Sequence, residues 1–133
     1  MGLIVDTNVF IKAERLNQPP DFSVWSGYGA FYISVITVSE LLEGVHRANT
    51  ADRRMRRSVF VEGIIAATPV LAIDVEIART YAEVMASIEK GITIGTHDVI
   101  IAATALNYRF PILTANTHDF ERIPKIEVVP YII

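Results

Sequence analysis

Short apolar runs alternate with longer helix-period segments along the whole chain, and few architectures accommodate that rhythm. The runs fall near residues 2–5, 31–34, 70–73, 111–114 and 127–130. Each is too short for a helix and rich in Ile, Val, Leu or Phe, as strands buried on both faces are. Between them, helical patterns occupy residues near 8–15, 37–47, 51–67, 75–89 and 97–108, with a short helical turn near 117–121. Strands alternating with helices pair in parallel, because each crossover returns the chain to the same edge of the sheet. The expectation is an α/β fold of three layers, α/β/α, around a mostly parallel five-stranded sheet. Asn17-Gln18-Pro19-Pro20-Asp21 and Ser26-Gly27-Tyr28-Gly29 read as loops. No repeat, low-complexity tract or interdomain linker interrupts the alternation, so residues 1–133 are expected to form a single domain.

Such a fold gathers its chemistry at the C-terminal edge of the sheet, and polar groups collect where that edge is expected. Asp6 follows the first apolar run in Val5-Asp6-Thr7-Asn8, and Glu40 stands in Thr37-Val38-Ser39-Glu40. Asp98 opens a helical pattern in Thr96-His97-Asp98, and Asn116 and Asp119 follow Leu113-Thr114-Ala115. Each has a purely structural alternative. Asp6 and Asp98 are acceptable helix N-caps, Thr37 with Glu40 fits a capping box, and Asp119 suits the first turn of a helix. Asp74 follows an apolar run in the same manner, with no sign of anything beyond a cap.

The order of these segments distinguishes them from isolated caps. Leu3-Ile4-Val5-Asp6-Thr7-Asn8-Val9, Ile36-Thr37-Val38-Ser39-Glu40-Leu41-Leu42-Glu43-Gly44, His97-Asp98-Val99-Ile100-Ile101-Ala102-Ala103-Thr104-Ala105, and Leu113-Thr114-Ala115-Asn116 with Asp119-Phe120 succeed one another along the chain. Together they resemble the PIN-domain family of metal-dependent nucleases, most closely its VapC-type toxin ribonucleases. The resemblance implies that Asp6, Glu40 and Asp98 hold a divalent cation, Mg²⁺ with Mn²⁺ as a substitute, and that Asn116 completes the catalytic set. Hard cations take oxygen ligands of this kind. Asn116 stands where many relatives carry an acid, which weakens the case for a second metal, and Asp119 one turn further on is a replacement for the missing charge. Thr7, Asn8, Thr37 and Thr114 are candidates to orient the carboxylates. The same resemblance implies an RNA substrate, a small VapB-like antitoxin as partner, and a homodimer.

Composition agrees with an enzyme of this kind without specifying it. Hydrophobic residues make up 51% of the 133, enough for a sizeable core. The absence of cysteine excludes thiolate metal sites, disulfides and cysteine nucleophiles, and suits the cytoplasm. Asp6 interrupts the N-terminal apolar run too early for a signal peptide. The stretch from Gly63 to Ile73 is broken at Thr68-Pro69 and falls short of the roughly 20 residues a membrane span needs.

A net charge of −3 argues against indiscriminate nucleic-acid binding, leaving local contact through Arg47, Arg53, Arg54, Arg56 and Arg57 or a solvated helical face as readings of the basic segment. His97 neighbours Asp98, but consecutive residues diverge on a helix, so it is not expected to act beside it. Two other classes fit parts of the pattern. One is a PIN-fold binding module without catalysis, suggested by Asn116. The other is a phosphoryl-transfer enzyme with Asp6 as nucleophile; it lacks the second acid two residues on, where Asn8 stands.

Overall fold

The computed structural model describes residues 1–132. Five strands, β1 (Gly2–Val5), β2 (Ala30–Ser34), β3 (Val70–Leu71), β4 (Ile112–Thr114) and β5 (Val128–Pro130), form one sheet in the order β3-β2-β1-β4-β5. Every pairing is parallel, rather than most of them. The helices are α1 (Thr7–Arg15), α2 (Val35–His46), α3 (Ala51–Ala67), α4 (Val75–Ser87), α5 (Thr96–Tyr108) and α6 (Thr117–Glu121).

Strand alternation divides the interior into two cores. On β1, Leu3 and Val5 face one side with Val9 and Phe10 of α1, Leu41 of α2 and Val61 and Ile64 of α3. Ile4 faces the other with Val84 of α4, Val99, Ile101, Ala102 and Ala105 of α5, and Phe120 of α6. Both faces of the sheet are therefore covered, and the three layers follow. Leu113 lies at the centre of β4 with no exposure. Leu113→Ala should lower stability by about 2–5 kcal/mol through lost burial and an unfilled cavity. The midpoint of urea denaturation measures this, and a parent-like midpoint would contradict the packing described.

The strand order decides where a site can form. From β1 the chain winds outward through β2 to β3, then crosses back to β4 and continues to β5 on the other side. Helices leaving β1 and β4 depart toward opposite faces and open a crevice beyond the C-terminal ends of those two strands. Asp6 follows β1 and Thr114 ends β4, so the crevice begins with these residues.

Some local expectations are corrected. The first turn of α2 starts at Val35, and Ser34 caps it by accepting from the Ile36 N–H at 3.1 Å. Thr37 and Glu40 are thus inside the helix and form no capping box. Asp98 lies in the first turn of α5, with Gly95 in the N-cap position. Strand β3 is only two residues long, and a 3-10 helix over Ser23–Tyr28 takes in Ser26, Gly27 and Tyr28 of the expected loop. Gly2 is the one small residue of β1: a Cβ there would lie 2.8 Å from Phe110 Cζ and 2.9 Å from Tyr32 Cε2. These rings stack with centroids 5.2 Å apart against the strand.

Candidate active site

Asp6 is 2% exposed, an unusual setting for a carboxylate. Its Oδ1 accepts from the Thr7 backbone N–H at 2.8 Å, and its Oδ2 accepts from the Thr114 hydroxyl at 2.8 Å. Thr114 Oγ1 in turn accepts from the Asn116 N–H at 2.9 Å. Asn8 ties the same two loops together, its Oδ1 accepting from the Ala115 N–H at 3.1 Å. The turns after β1 and β4 are thereby locked across the switch point. Asp74 provides the contrast: it accepts from Ile77 N–H at 2.9 Å and serves as an ordinary cap.

Glu40 reaches the crevice from the second turn of α2 and is held at both oxygens. Oε1 lies 2.7 Å from Thr7 Oγ1, and Oε2 lies 3.2 Å from His97 Nδ1. Thr7 Oγ1 is also 2.9 Å from the buried Thr37 Oγ1. A hydroxyl has one proton and an ionised carboxylate none. Thr7 therefore donates to Glu40, and Thr37 donates to Thr7. Thr37 sits in the first turn of α2, where it supports the contact between α1 and Glu40.

Asp98 is half-buried in the first turn of α5. Asn116 and Asp119 enter from the segment after β4, where the Asn116 side-chain amide donates to Asp119 Oδ2 at 3.1 Å. Asn116 itself caps no backbone N–H of α6. Its amide fixes the neighbouring acid, which brings a fourth carboxylate to the cluster.

These groups feel one another. Burial pushes the Asp6 carboxyl up to about 7, opposed by the Thr114 and Thr7 hydrogen bonds and reinforced by the charges of Asp98 and Glu40. The Asp98 carboxyl is also raised, first by burial, then by Glu40 and Asp119, with His97 acting in the opposite sense. The neighbouring charges oppose the ionisation of Asp6 and Asp98. The donor set fits a hard divalent cation, because it offers carboxylate oxygens whose mutual repulsion such a cation relieves. Among the described residues, no three His, Cys, Asp or Glu side chains form a ready-made cage.

His97 is the residue that sequence reasoning did not place here. Its divergence from Asp98 on α5 is real, but the divergence carries it to Glu40 on α2 instead of to solvent. Only the packing of α2 over the start of α5 reveals this. The arginines each find a partner: Arg47 with Glu43, Arg53 with Asn49, Arg54 with the Ala48 carbonyl, Arg56 with Asp52, and Arg57 with Glu14 and the Gly44 carbonyl. Four of these contacts stay within α3 or the turn before it, or within the end of α2, in keeping with a solvated face.

The fold and the acid-lined crevice have counterparts. Residues 3–126 match the PIN domain. Over 130 residues the chain is 42% identical to "Ribonuclease VapC" of Rickettsia bellii, covering 97% of this chain and 96% of that protein. It is 33% identical over 97 residues to the "tRNA(fMet)-specific endonuclease VapC" of Salmonella typhimurium, covering 72% and 71% of the two chains. The crystal structure of DNA-bound VapBC from Salmonella typhimurium superposes with a TM-score of 0.84 at 28% identity, over 98% of both chains. The protein belongs to the PIN-domain family, among its VapC ribonucleases.

Proposed function

We propose that this protein is a divalent-metal-dependent endoribonuclease, using Mg²⁺ with Mn²⁺ as a substitute, and the toxin of a type II toxin–antitoxin pair. The observation that carries the reading is the state of Asp6: a carboxylate buried at the switch point and pushed up to about 7 beside Asp98 and Glu40. A fold keeps such a costly group where binding a cation repays it. Asp6, Glu40 and Asp98 would hold the metal. When bound, it neutralises charge on the scissile phosphodiester and makes water more acidic.

The chain's own residues do the positioning. Thr7 and Thr114 fix the rotamer of Asp6, Thr37 supports Thr7, and Asn8 clamps the β4 turn. Asn116 lines the site and holds one oxygen of Asp119, leaving the other Asp119 oxygen available to orient water or substrate. Burial of Asp6 keeps bulk water from the deepest ligand, which strengthens every electrostatic interaction there.

RNA as substrate is supported by the ribonuclease relatives, and transfer RNA by the name of the Salmonella relative. A small VapB-like antitoxin as partner is supported by the VapBC complexes among similar structures. The apolar groove lined by Phe10, Phe22, Phe31, Phe60 and Ile64 suits an amphipathic helix from such a partner. Homodimerisation and a cytoplasmic setting belong to the same reading; no helix among the described residues is long and apolar enough to cross a membrane.

Purified protein incubated with a mixture of transfer and ribosomal RNA should cut it in Mg²⁺, stop in EDTA, and recover in Mn²⁺. Intact RNA under all conditions, with RNA still retained in a binding assay, would instead support the non-catalytic module that Asn116 suggests.

A further inference from the structure

Glu40 differs from the other cluster acids in how much it needs to be held. Asp6 is fixed by burial and two hydrogen bonds, and Asp98 by a short side chain on a buried helix. Glu40 has one more rotatable bond, projects from the second turn of α2, and its side chain is 28% exposed. Left alone it would sample several rotamers, few of them aimed at Asp6 and Asp98. Two donors from two other elements restrain it: Thr7 at the start of α1 takes Oε1, and His97 at the start of α5 takes Oε2. A carboxylate only accepts, so Nδ1 of His97 carries the proton in this contact.

We propose that His97 is a positioning residue: its Nδ1–H clamps Oε2 of Glu40 and, with the Thr7 hydroxyl on Oε1, fixes this carboxylate as a pre-oriented cation ligand. The assignment rests on the reading of the acids as a metal site. It gives the 48% exposed imidazole a task that its place on the α5 surface does not suggest. Partners that orient metal ligands contribute about 10- to 100-fold in metal affinity. The side chain lies at the crevice rim, so its removal should leave the two cores untouched.

The test uses metal-stripped full-length protein, titrated with Mn²⁺ by calorimetry, and RNA cleavage at saturating Mn²⁺. In His97→Ala, Mn²⁺ should bind about 10- to 100-fold more weakly, while KM for RNA stays at the parent value. His97→Asn, whose Nδ2 can replace the Nδ1 donor, should restore most of the affinity. His97→Phe, which keeps a ring without a donor, should behave as His97→Ala does and serves in its place if the alanine variant melts early. Parent-like Mn²⁺ binding in both His97→Ala and His97→Phe would overturn the assignment. So would a raised KM at unchanged Mn²⁺ affinity, which would make His97 an RNA contact. Glu40→Gln separates the two levels of the argument. If it binds Mn²⁺ as the parent does, Glu40 is no cation ligand and the three-acid site falls with the role of His97; if it loses binding while His97→Ala keeps it, only the role of His97 falls.

Discussion

Asp98→Asn is expected to cut RNA at least about 100-fold more slowly than the parent, with Asp6→Asn and Glu40→Gln showing losses of the same order. The magnitude follows from the several kcal/mol of charge stabilisation that a cation supplies at a phosphodiester, each 1.4 kcal/mol or so being tenfold in rate. In the proposed site the three acids form one ligand set, so the losses should not add: a double variant should be barely slower than the worse single one. The fold should persist, since none of the three belongs to either hydrophobic core. Initial rates on a single RNA, with circular dichroism of each variant, make the comparison. Parent-level cleavage by Asp98→Asn would remove that residue from the site.

The same acids should leave a signature in stability. Asp6 has a folded-state pKa of about 7 against 3.8 for a free aspartate, so between these values the native state holds a proton that the unfolded chain releases. Its contribution is therefore greatest below about pH 4 and is lost as pH rises through about 7. Asp98, also raised, acts in the same direction. Without divalent cations, then, Asp6→Asn should be more stable than the parent at pH 8 and lose that advantage by about pH 4. An isolated shift of this size corresponds to up to about 4 kcal/mol; sharing of protons among coupled acids reduces it, to roughly 1–3 kcal/mol. Millimolar Mg²⁺ should reverse the order at pH 8. The parent gains about 2.7 kcal/mol at a hundredfold excess over Kd, and the variant gains little. Melting curves at the two pH values, with EDTA and with Mg²⁺, test every arm; a parent midpoint indifferent to both pH and metal would count against the acid cluster as described.

Much of this arrangement was legible from residue order. Apolar runs of four residues between helical periods give five strands and a mostly parallel pairing, and the turns after the first and fourth strands point to Asp6 and Asn116. What escaped depended on contacts between distant segments. Thr37 and Glu40 fit a local capping pattern that hides the true cap, Ser34; the helix starts three residues earlier, so the box becomes a buried threonine and an acid facing the crevice. His97 was judged by its neighbour on the same helix, whereas its partner lies 57 residues away. The service Asn116 performs for Asp119 needs a side-chain geometry that i to i+3 spacing permits but does not require.

The hydrogen bond from Thr114 to Asp6 joins positions 108 residues apart, and that distance has a bearing on how the protein comes into being. During translation the amino-terminal segments emerge first, yet the crevice lacks one wall until β4 has been made and has slotted in beside β1. A truncated or still-growing chain that ends before Thr114 carries Asp6 without the hydroxyl that orients it, and without Asn116 or Asp119. The crevice is thus closed late: the group that orients Asp6 is made 108 residues after it.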